Sequence, residues 1–456
     1  MKSKRKLKIG IFIDHDIMIR HFVHSKVFSK LSKKHDVDYF FPIVGHKRVT
    51  LDPSSHIKNS KIFRLHENKL GKSIWFRRKH IDVLRGGFNK FARDIRRVYR
   101  LIIPKKVEIF HSILALPIIY ELFTIWANYV LNKNPNLILR KLLKENKYDL
   151  LINPGIPNGI FINDLLIEAK RAKIKLIFIM NSWDNPLFGK ITSGTPDLYL
   201  AWGPQTVNFA KKYMGIPSEK VKEFGAAQFD IYKRKQKISK NKFLKDNNVD
   251  LNKRIILYAG GSLNTNEYLH LKILEREIEK GNFKDTVILY RPHPWGGGGN
   301  NGNKIFKEKW KHVHIENTMK NYMEGINKRG YHLTFPDYSD THVVLSYSDC
   351  VISPLSTILI EAAMHGKPVM CYLPLEDIEA NHFQTVYSLP HFRDFQNELD
   401  VVLAKNRKEL VSKVKILFSQ IEDKSFPKKM KKISEKYVTH FENPYSDRIV
   451  ELIENL

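Results

Sequence analysis

Five places in the sequence carry side chains whose type and spacing suit work on a phosphorylated ligand. The stretch Ser353–Gly366, SPLSTILIEAAMHG, follows the short β-branched run DCVIS. Pro354 ends that strand, Ser356 is placed to cap a helix, and Gly366 closes it. A helix start offers unpaired N–H groups at the positive end of the helix dipole, so Ser353, Ser356, Thr357 and the local amides form a candidate phosphate site. Glu361, rather more than one turn further on, is placed to accept hydrogen bonds from a ribose. An ordinary capped strand–helix unit accounts for the same residues, and the stretch alone does not decide between the two. Gly260, Gly261 and Ser262 end the run RIILYAGGS, where small residues let a phosphate approach the backbone. In YRPHP, the Arg291 guanidinium and the His293 imidazole, beside Pro294, suit neutralising a nucleotide phosphate and its leaving group. Transfer with inversion also needs a base for the acceptor hydroxyl. Asp14, His15 and Asp16, directly after KIGIFI, and Asp184, in NSWDNP beside Trp183, are the titratable candidates, with Asp16 or His15 leading. The spelling Asp-x-Asp at 14–16 is that of a metal-binding motif, but immediately after a first strand it reads as accidental, and no metal site is expected.

The elements that must position these groups alternate strand and helix. KIGIFI, an apolar helical stretch and VDYFFPIV open the chain as a βαβ unit. YDLLIN, IKLIFIM and DLYLAWG continue the rhythm to about residue 230. The pattern restarts at RIILYAGGS, with DTVILY, DCVIS and PVMCYLP following. In open parallel sheets the ligand crevice lies off the carboxyl ends of the strands, which is where every candidate above falls. The expected organisation is a first, acceptor-side domain at 1–232 with a basic and apolar insertion at about 66–135. A lysine-rich linker at 233–250 leads to a nucleotide-binding domain at 251–425, and helices at 426–456 pack back on the first domain. The glycine run at 296–299 reads as a loop.

The order strand, S-x-x-S-T, helix with Glu-Ala-Ala, Gly-Lys-Pro, then PVMCYLP resembles the donor half of GT-B glycosyltransferases. YRPHP at Tyr290–Pro294 is similar to the His-Pro motif of bacterial sialyl-, Kdo- and glycerophospho-transferases of that fold, whose partner is a Ser/Thr pair like Ser356-Thr357. The resemblance covers the C-terminal half. It implies an α/β protein of two Rossmann-like doubly wound domains facing across a cleft. It also implies metal-independent transfer, no cofactor beyond the nucleotide-activated co-substrate, and a leaving-group role for His293. The activity expected first is transfer of a sugar from a nucleotide donor to a cell-surface glycan such as lipopolysaccharide or capsule, with a lipid-linked acceptor. A CDP-polyol or CDP-glycerol phosphotransferase of the same fold is the alternative, followed by a nucleotide-sugar 2-epimerase.

Composition narrows the partners. The 456 residues carry a formal charge of +30, with 77 Lys+Arg against 47 Asp+Glu, which calls for an anionic partner. Two cysteines, Cys350 and Cys371, in apolar runs exclude a disulfide framework and fit a reducing compartment. Between Lys72 and Lys106 twelve Lys or Arg stand against Asp82 and Asp94, interleaved with aromatic residues. Such a segment suits an anionic membrane surface, so the expected place is peripheral, on the cytoplasmic face of the cell membrane. The apolar run Ile109–Leu131 contains His111, Pro117, Glu121 and Asn128, which argue against an isolated span; it reads as one buried or interfacial helix. Nucleic acid is not expected as a partner, because the charge lies in an insertion and a linker and no binding module is recognisable.

Overall fold

The computed structural model describes residues 5–57, 59–86, 95–97, 99–100, 103–155, 159–188, 193–261, 265–294, 301–329, 336–376 and 389–456. Ser262, the glycine run at 296–299 and the part of the basic stretch between 87 and 94 lie outside the described residues.

The chain divides into two compact units, Met1–Gln228 with Val438–Leu456, and Phe229–Tyr437. The first is built on a parallel sheet of seven strands: β1 (Lys8–Phe12), β2 (Asp36–Pro42), β3 (Ile62–Leu65), β4 (Leu150–Asn153), β5 (Lys175–Ile179), β6 (Leu198–Ala201) and β7 (Val221–Glu223), in the order β3-β2-β1-β4-β5-β6-β7. The second sheet has six: β8 (Arg254–Ala259), β9 (Thr286–Arg291), β10 (Val313–Ile315), β11 (Cys350–Ser353), β12 (Val369–Tyr372) and β13 (Val402–Ala404), in the order β10-β9-β8-β11-β12-β13. Both are doubly wound, with the strand order reversing direction beside the first strand, β1 in one unit and β8 in the other. At such a switch point the helices leave to opposite faces and open a crevice.

The strands are short and nearly all buried, as expected where helices cover both faces of a parallel sheet. Phe12 stacks on Phe40 across β1 and β2 with centroids 4.3 Å apart. A carboxylate pins the register at the switch in each unit. Asp149, just before β4, accepts from the Lys8 amide at 2.8 Å, and Asp349, just before β11, accepts from the Ile255 amide at 2.7 Å. These bonds fix where the strands start and so where their carboxyl ends project.

Four expectations change. The stretch expected as a linker at 233–250 belongs to the second unit: Lys240–Asp246 is helical, and its Phe243 and Leu244 are buried. Of the C-terminal helices, Phe426–Glu435 stays in the second unit, where Pro427 packs against Gly366, and Tyr445–Glu454 belongs to the first. The basic stretch is drawn partly into the unit, while Arg77, Arg85, Arg97, Lys105 and Lys106 stay exposed. In the Lys69–Arg85 helix Arg78 and Lys79 are buried, Arg78 donates to Asn128 at 2.9 Å, and Lys79 lies over the Trp75 ring at 4.4 Å. Finally, the apolar run is two helices, Lys105–Leu114 and Pro117–Lys133, bent by 97°. Pro117 starts the second helix, where its missing N–H costs nothing. Much of their apolar surface is exposed rather than buried.

Candidate active site

In the second unit the candidates do converge on the carboxyl ends of β8, β9 and β11. A Cβ on Gly261 would come within 3.4 Å of Pro354, so the turns after β8 and β11 are in contact. Ser353, the last residue of β11, is fully buried, and its hydroxyl has no hydrogen-bond partner among the described residues. Ser356 and Thr357 follow, both half-buried. Thr357, not Ser356, is the N-cap of the Ile358–Met364 helix, and it makes no side-chain cap bond. The two hydroxyls therefore sit at the start of that helix, where the Leu359 amide donates to Ser356 O at 3.2 Å and the Ile360 amide to Thr357 O at 3.0 Å. His293 and Pro294 are half-buried just beyond β9.

Three other candidates serve the fold itself. The Gly260 amide donates to Arg291 O at 2.9 Å, and the Gly261 amide donates to Glu267 Oε1 at 2.7 Å. Glu267, fully buried, also accepts from the Thr265 hydroxyl at 2.8 Å and from the Tyr290 hydroxyl. Burial raises its carboxyl above the usual range against those hydrogen bonds. A Cβ on Gly260 would lie 2.6 Å from Glu267 Oε2, so the glycine makes room for a buried carboxylate. The expected phosphate cradle at Gly260 and Gly261 is thereby corrected, because both amides are already engaged. Arg291 is corrected likewise: its guanidinium is buried against Glu316 at 2.5 Å and donates to the Thr341 hydroxyl at 3.2 Å. Glu316 in turn accepts from the Thr318 and Met319 amides at the start of the Asn317–Arg329 helix. A cation neutralised in this way joins two elements and has little charge left for a nucleotide.

Glu361 is buried and accepts from the Tyr232 hydroxyl, so a ribose would have to share or displace that bond. Tyr232 lies edge-on to His365, centroids 4.6 Å apart, and His365 Nδ1 donates to Glu361 O at 2.7 Å. Burial lowers the His365 imidazole to about 3, so it is neutral at pH 7. Sequence reasoning missed Tyr232, Glu267 and Glu316, which carry no motif; Tyr232 meets Glu361 across 129 residues, and Glu316 meets Arg291 across 25.

In the first unit Asp14, His15 and Asp16 leave β1 at the switch point but do different things. Asp16 is buried and saturated: it accepts from the Thr50 amide at 2.9 and 3.1 Å, the Thr50 hydroxyl at 2.6 Å and the Leu51 amide at 3.0 Å. It clamps the loop at 50–51, and the geometry weighs against it as a base. His15 caps the short turn that follows, its Nδ1 accepting from the Ile17 amide at 3.1 Å, and burial beside Arg48 lowers it to about 4. Asp14 is buried, and one oxygen accepts from the Ile160 amide at 2.5 Å in the loop after β4. Its Oδ1 has no partner among the described residues. Burial raises its carboxyl, opposed by Arg48, Lys72 and His46. Arg48 and Lys72, with Lys69, Glu67, Ser73, Trp75 and Phe76, line a cavity of about 390 Å³. Asp184 stands one strand further along, after β5, with its carboxyl also raised by burial. Trp183 beside it is buried and donates to Gln205 at 2.8 Å, so it offers no face to a sugar.

A family model described as CDP-glycerol:poly(glycerophosphate) glycerophosphotransferase matches residues 192–455. Among solved structures the chain is similar to the UDP-GlcNAc 2-epimerase of Neisseria meningitidis bound to UDP-GlcNAc. That match has 15% identity and a TM-score of 0.54, covering 99% of this chain and 100% of that one. A putative UDP-N-acetylglucosamine 2-epimerase of Listeria monocytogenes matches with 13% identity and TM-score 0.54, over 99% and 96%. The wall teichoic acid polymerase TagF matches with 11% identity and TM-score 0.50, over 100% and 89%. At these identities the likeness is one of fold, and it bears out two Rossmann-like units of the GT-B kind. No curated protein matches the sequence.

Proposed function

We propose that this chain, which belongs to the CDP-glycerol:poly(glycerophosphate) glycerophosphotransferase family and is a transferase of GT-B fold, moves a polyol phosphate from a CDP-activated donor to an acceptor hydroxyl. Of the three enzyme readings open at the outset, the polyol phosphotransferase is thus preferred to the sugar transferase and the 2-epimerase. The observation that carries it is that the family match takes in both His293 and Ser356-Thr357. The acceptor oxygen attacks the phosphorus that bears the polyol, the bond from that phosphorus to the bridging oxygen breaks, and CMP leaves. His293 stabilises the charge that builds on the leaving phosphate. The Ser356 and Thr357 hydroxyls, at the start of the Ile358–Met364 helix, hold the donor phosphates. Glu361 meets the ribose. Asp14, raised by burial toward the pH at which a base works, takes the acceptor proton. The cavity lined by Arg48 and Lys72, with three Lys or Arg against one Glu, suits a phosphate-bearing acceptor such as a surface polymer.

The test is nucleotide titration by calorimetry and thermal shift with CMP, CDP, CDP-glycerol, UDP and GDP. The cytidine nucleotides are expected to bind tightest, and a ligand at 100 times its Kd should stabilise the protein by roughly 2.7 kcal/mol. His293→Ala and the pair Ser356→Ala/Thr357→Ala should weaken binding while the protein stays folded. Tighter binding of UDP would return the sugar-nucleotide reading to first place, and unchanged affinity in the folded variants would remove the site.

A further inference from the structure

The Pro117–Lys133 helix is apolar on two opposite sides. Ala127 and Leu131 pack with Ile74 of the Lys69–Arg85 helix, and Phe123 and Val130 pack on the same cluster. Ile118, Leu122, Ile125, Trp126 and Tyr129 point the other way and are 47–78% exposed. At about 100° per residue these five fall on one stripe roughly 100° wide, the width of a face that buries itself against something. Ile109, Phe110 and Ile113 of the preceding helix are each at least half exposed as well. Among the described residues, ten of the eighteen large apolar side chains left exposed lie between Val107 and Tyr129. Exposed apolar residues scattered singly need no explanation, but a stripe along one helix face does.

Charge and length say what covers it. Lys105 and Lys106 stand exposed at the start of the first helix and Lys133 at the end of the second, with Arg77, Arg85 and Arg97 exposed nearby. Of the two acids in these helices, Glu108 is buried and bonded to Arg96 and Arg100 at 2.6 and 3.0 Å, and Glu121 lies at the flank of the stripe. The patch thus has a cationic rim. A second copy of the chain would set that rim against itself, whereas anionic lipid headgroups complement it. Helices of 10 and 17 residues are about 15 and 25 Å long, short of the roughly 30 Å hydrocarbon core, and the 97° bend keeps them from adding end to end.

We propose that the outward face of this helical hairpin inserts into the interfacial layer of an anionic bilayer, with Ile118, Leu122, Ile125 and Trp126 among the acyl chains and Lys105, Lys106 and Lys133 at the phosphates. The membrane contact is then chiefly apolar and made by residues 107–129, with the basic stretch before it supplying the rim. This stands whether or not the donor is a CDP-polyol, because its test uses no nucleotide.

The test is sedimentation of the full chain with vesicles of phosphatidylcholine alone, and with a quarter phosphatidylglycerol, in 0.1 and 0.5 M salt. Wild type should bind the anionic vesicles and keep measurable binding at high salt. Leu122→Glu/Ile125→Glu should bind about a hundredfold more weakly, from the loss of two apolar side chains. Lys105→Gln/Lys106→Gln should lose about 25-fold on anionic vesicles at low salt, near fivefold per charge, and change little on phosphatidylcholine. Brominated lipid should quench wild-type fluorescence more than that of Trp126→Phe. These side chains are exposed, so the variants should melt with wild type, and Trp126→Phe keeps the quenching test open if the double-Glu variant does not fold. Equal binding by wild type and folded Leu122→Glu/Ile125→Glu would overturn the proposal, as would equal quenching of wild type and Trp126→Phe. Failure of wild type to bind vesicles while sedimenting as a dimer that this pair dissociates would overturn it in favour of a face between copies.

Discussion

If Arg291 holds the fold rather than the donor, removing it should show in stability before nucleotide binding. Its side chain is 7% exposed and that of Glu316 is 3%, with nitrogen and oxygen 2.5 Å apart. Arg291→Met leaves the Glu316 carboxylate buried with the Thr318 and Met319 amides as its remaining bonds. Breaking one side of a buried pair costs about 3–5 kcal/mol. For a unit of about 200 residues each kcal/mol moves Tm by about 2–4 °C, so a fall of roughly 6–20 °C is expected. Glu316→Gln alone should cost a similar amount, because it strands the guanidinium. The double variant Arg291→Met/Glu316→Gln removes both charges and keeps an acceptor for the two amides, so its loss should fall short of the sum by about 1–3 kcal/mol. Thermal and urea unfolding read these values, and CDP titration below the lowered Tm reads affinity. An Arg291→Met protein that melts like wild type but no longer binds CDP would refute the reasoning and return Arg291 to the donor site.

Asp14→Asn keeps an oxygen for the Ile160 amide but cannot take a proton, so turnover should fall by about 10²–10⁴ with CDP affinity unchanged. In wild type the acid limb of the kcat profile should lie above the ordinary carboxylate range, as burial of Asp14 requires; a limb near pH 4, or normal turnover in the variant, would move the base elsewhere. His391 is buried and its imidazole is lowered from 6.5 to about 3. Below pH 6.5 the unfolded chain binds this proton and the folded chain does not, so stability falls as pH drops from 6.5 toward 3. At pH 5 the loss is about 2 kcal/mol, and His391→Gln should shrink the difference in unfolding free energy between pH 7 and pH 5 by that amount.

The frame of the molecule is legible in the sequence because its causes are local. Short apolar runs ending in polar turns mark β1, β4, β8, β9 and β11, and an aspartate just before β4 and β11 marks where each begins. Ser356-Thr357 and His293 could be picked out because each lies in a compact pattern at a strand end. What could not be read is whether a charge is spoken for. Arg291 meets its partner 25 residues later, and Asp16 meets Thr50 across 34. Lys79 is drawn into the core although its neighbours spell a basic surface helix. Gly260 looks like a phosphate glycine and is one that Glu267 requires. Net charge counts all of these alike, and the fold then cancels some and exposes others.

That sorting bears on the chemistry. A group that hydrogen bonds already hold from several sides, such as Asp16 or Glu267, gains nothing from a ligand and loses much if one intrudes, since a buried carboxylate stripped of its donors is costly. Asp14 differs in one respect. It is as buried as Asp16, yet a single amide meets one oxygen and, among the described residues, nothing meets the other. Burial holds its carboxyl above the ordinary pKa, where a proton from an acceptor hydroxyl is easier to receive. Two of the cations that keep it from rising further, Arg48 and Lys72, line the cavity of about 390 Å³ in the same unit. If Asp14 is the base proposed above, an anionic acceptor entering there would offset those cations and raise its carboxyl again.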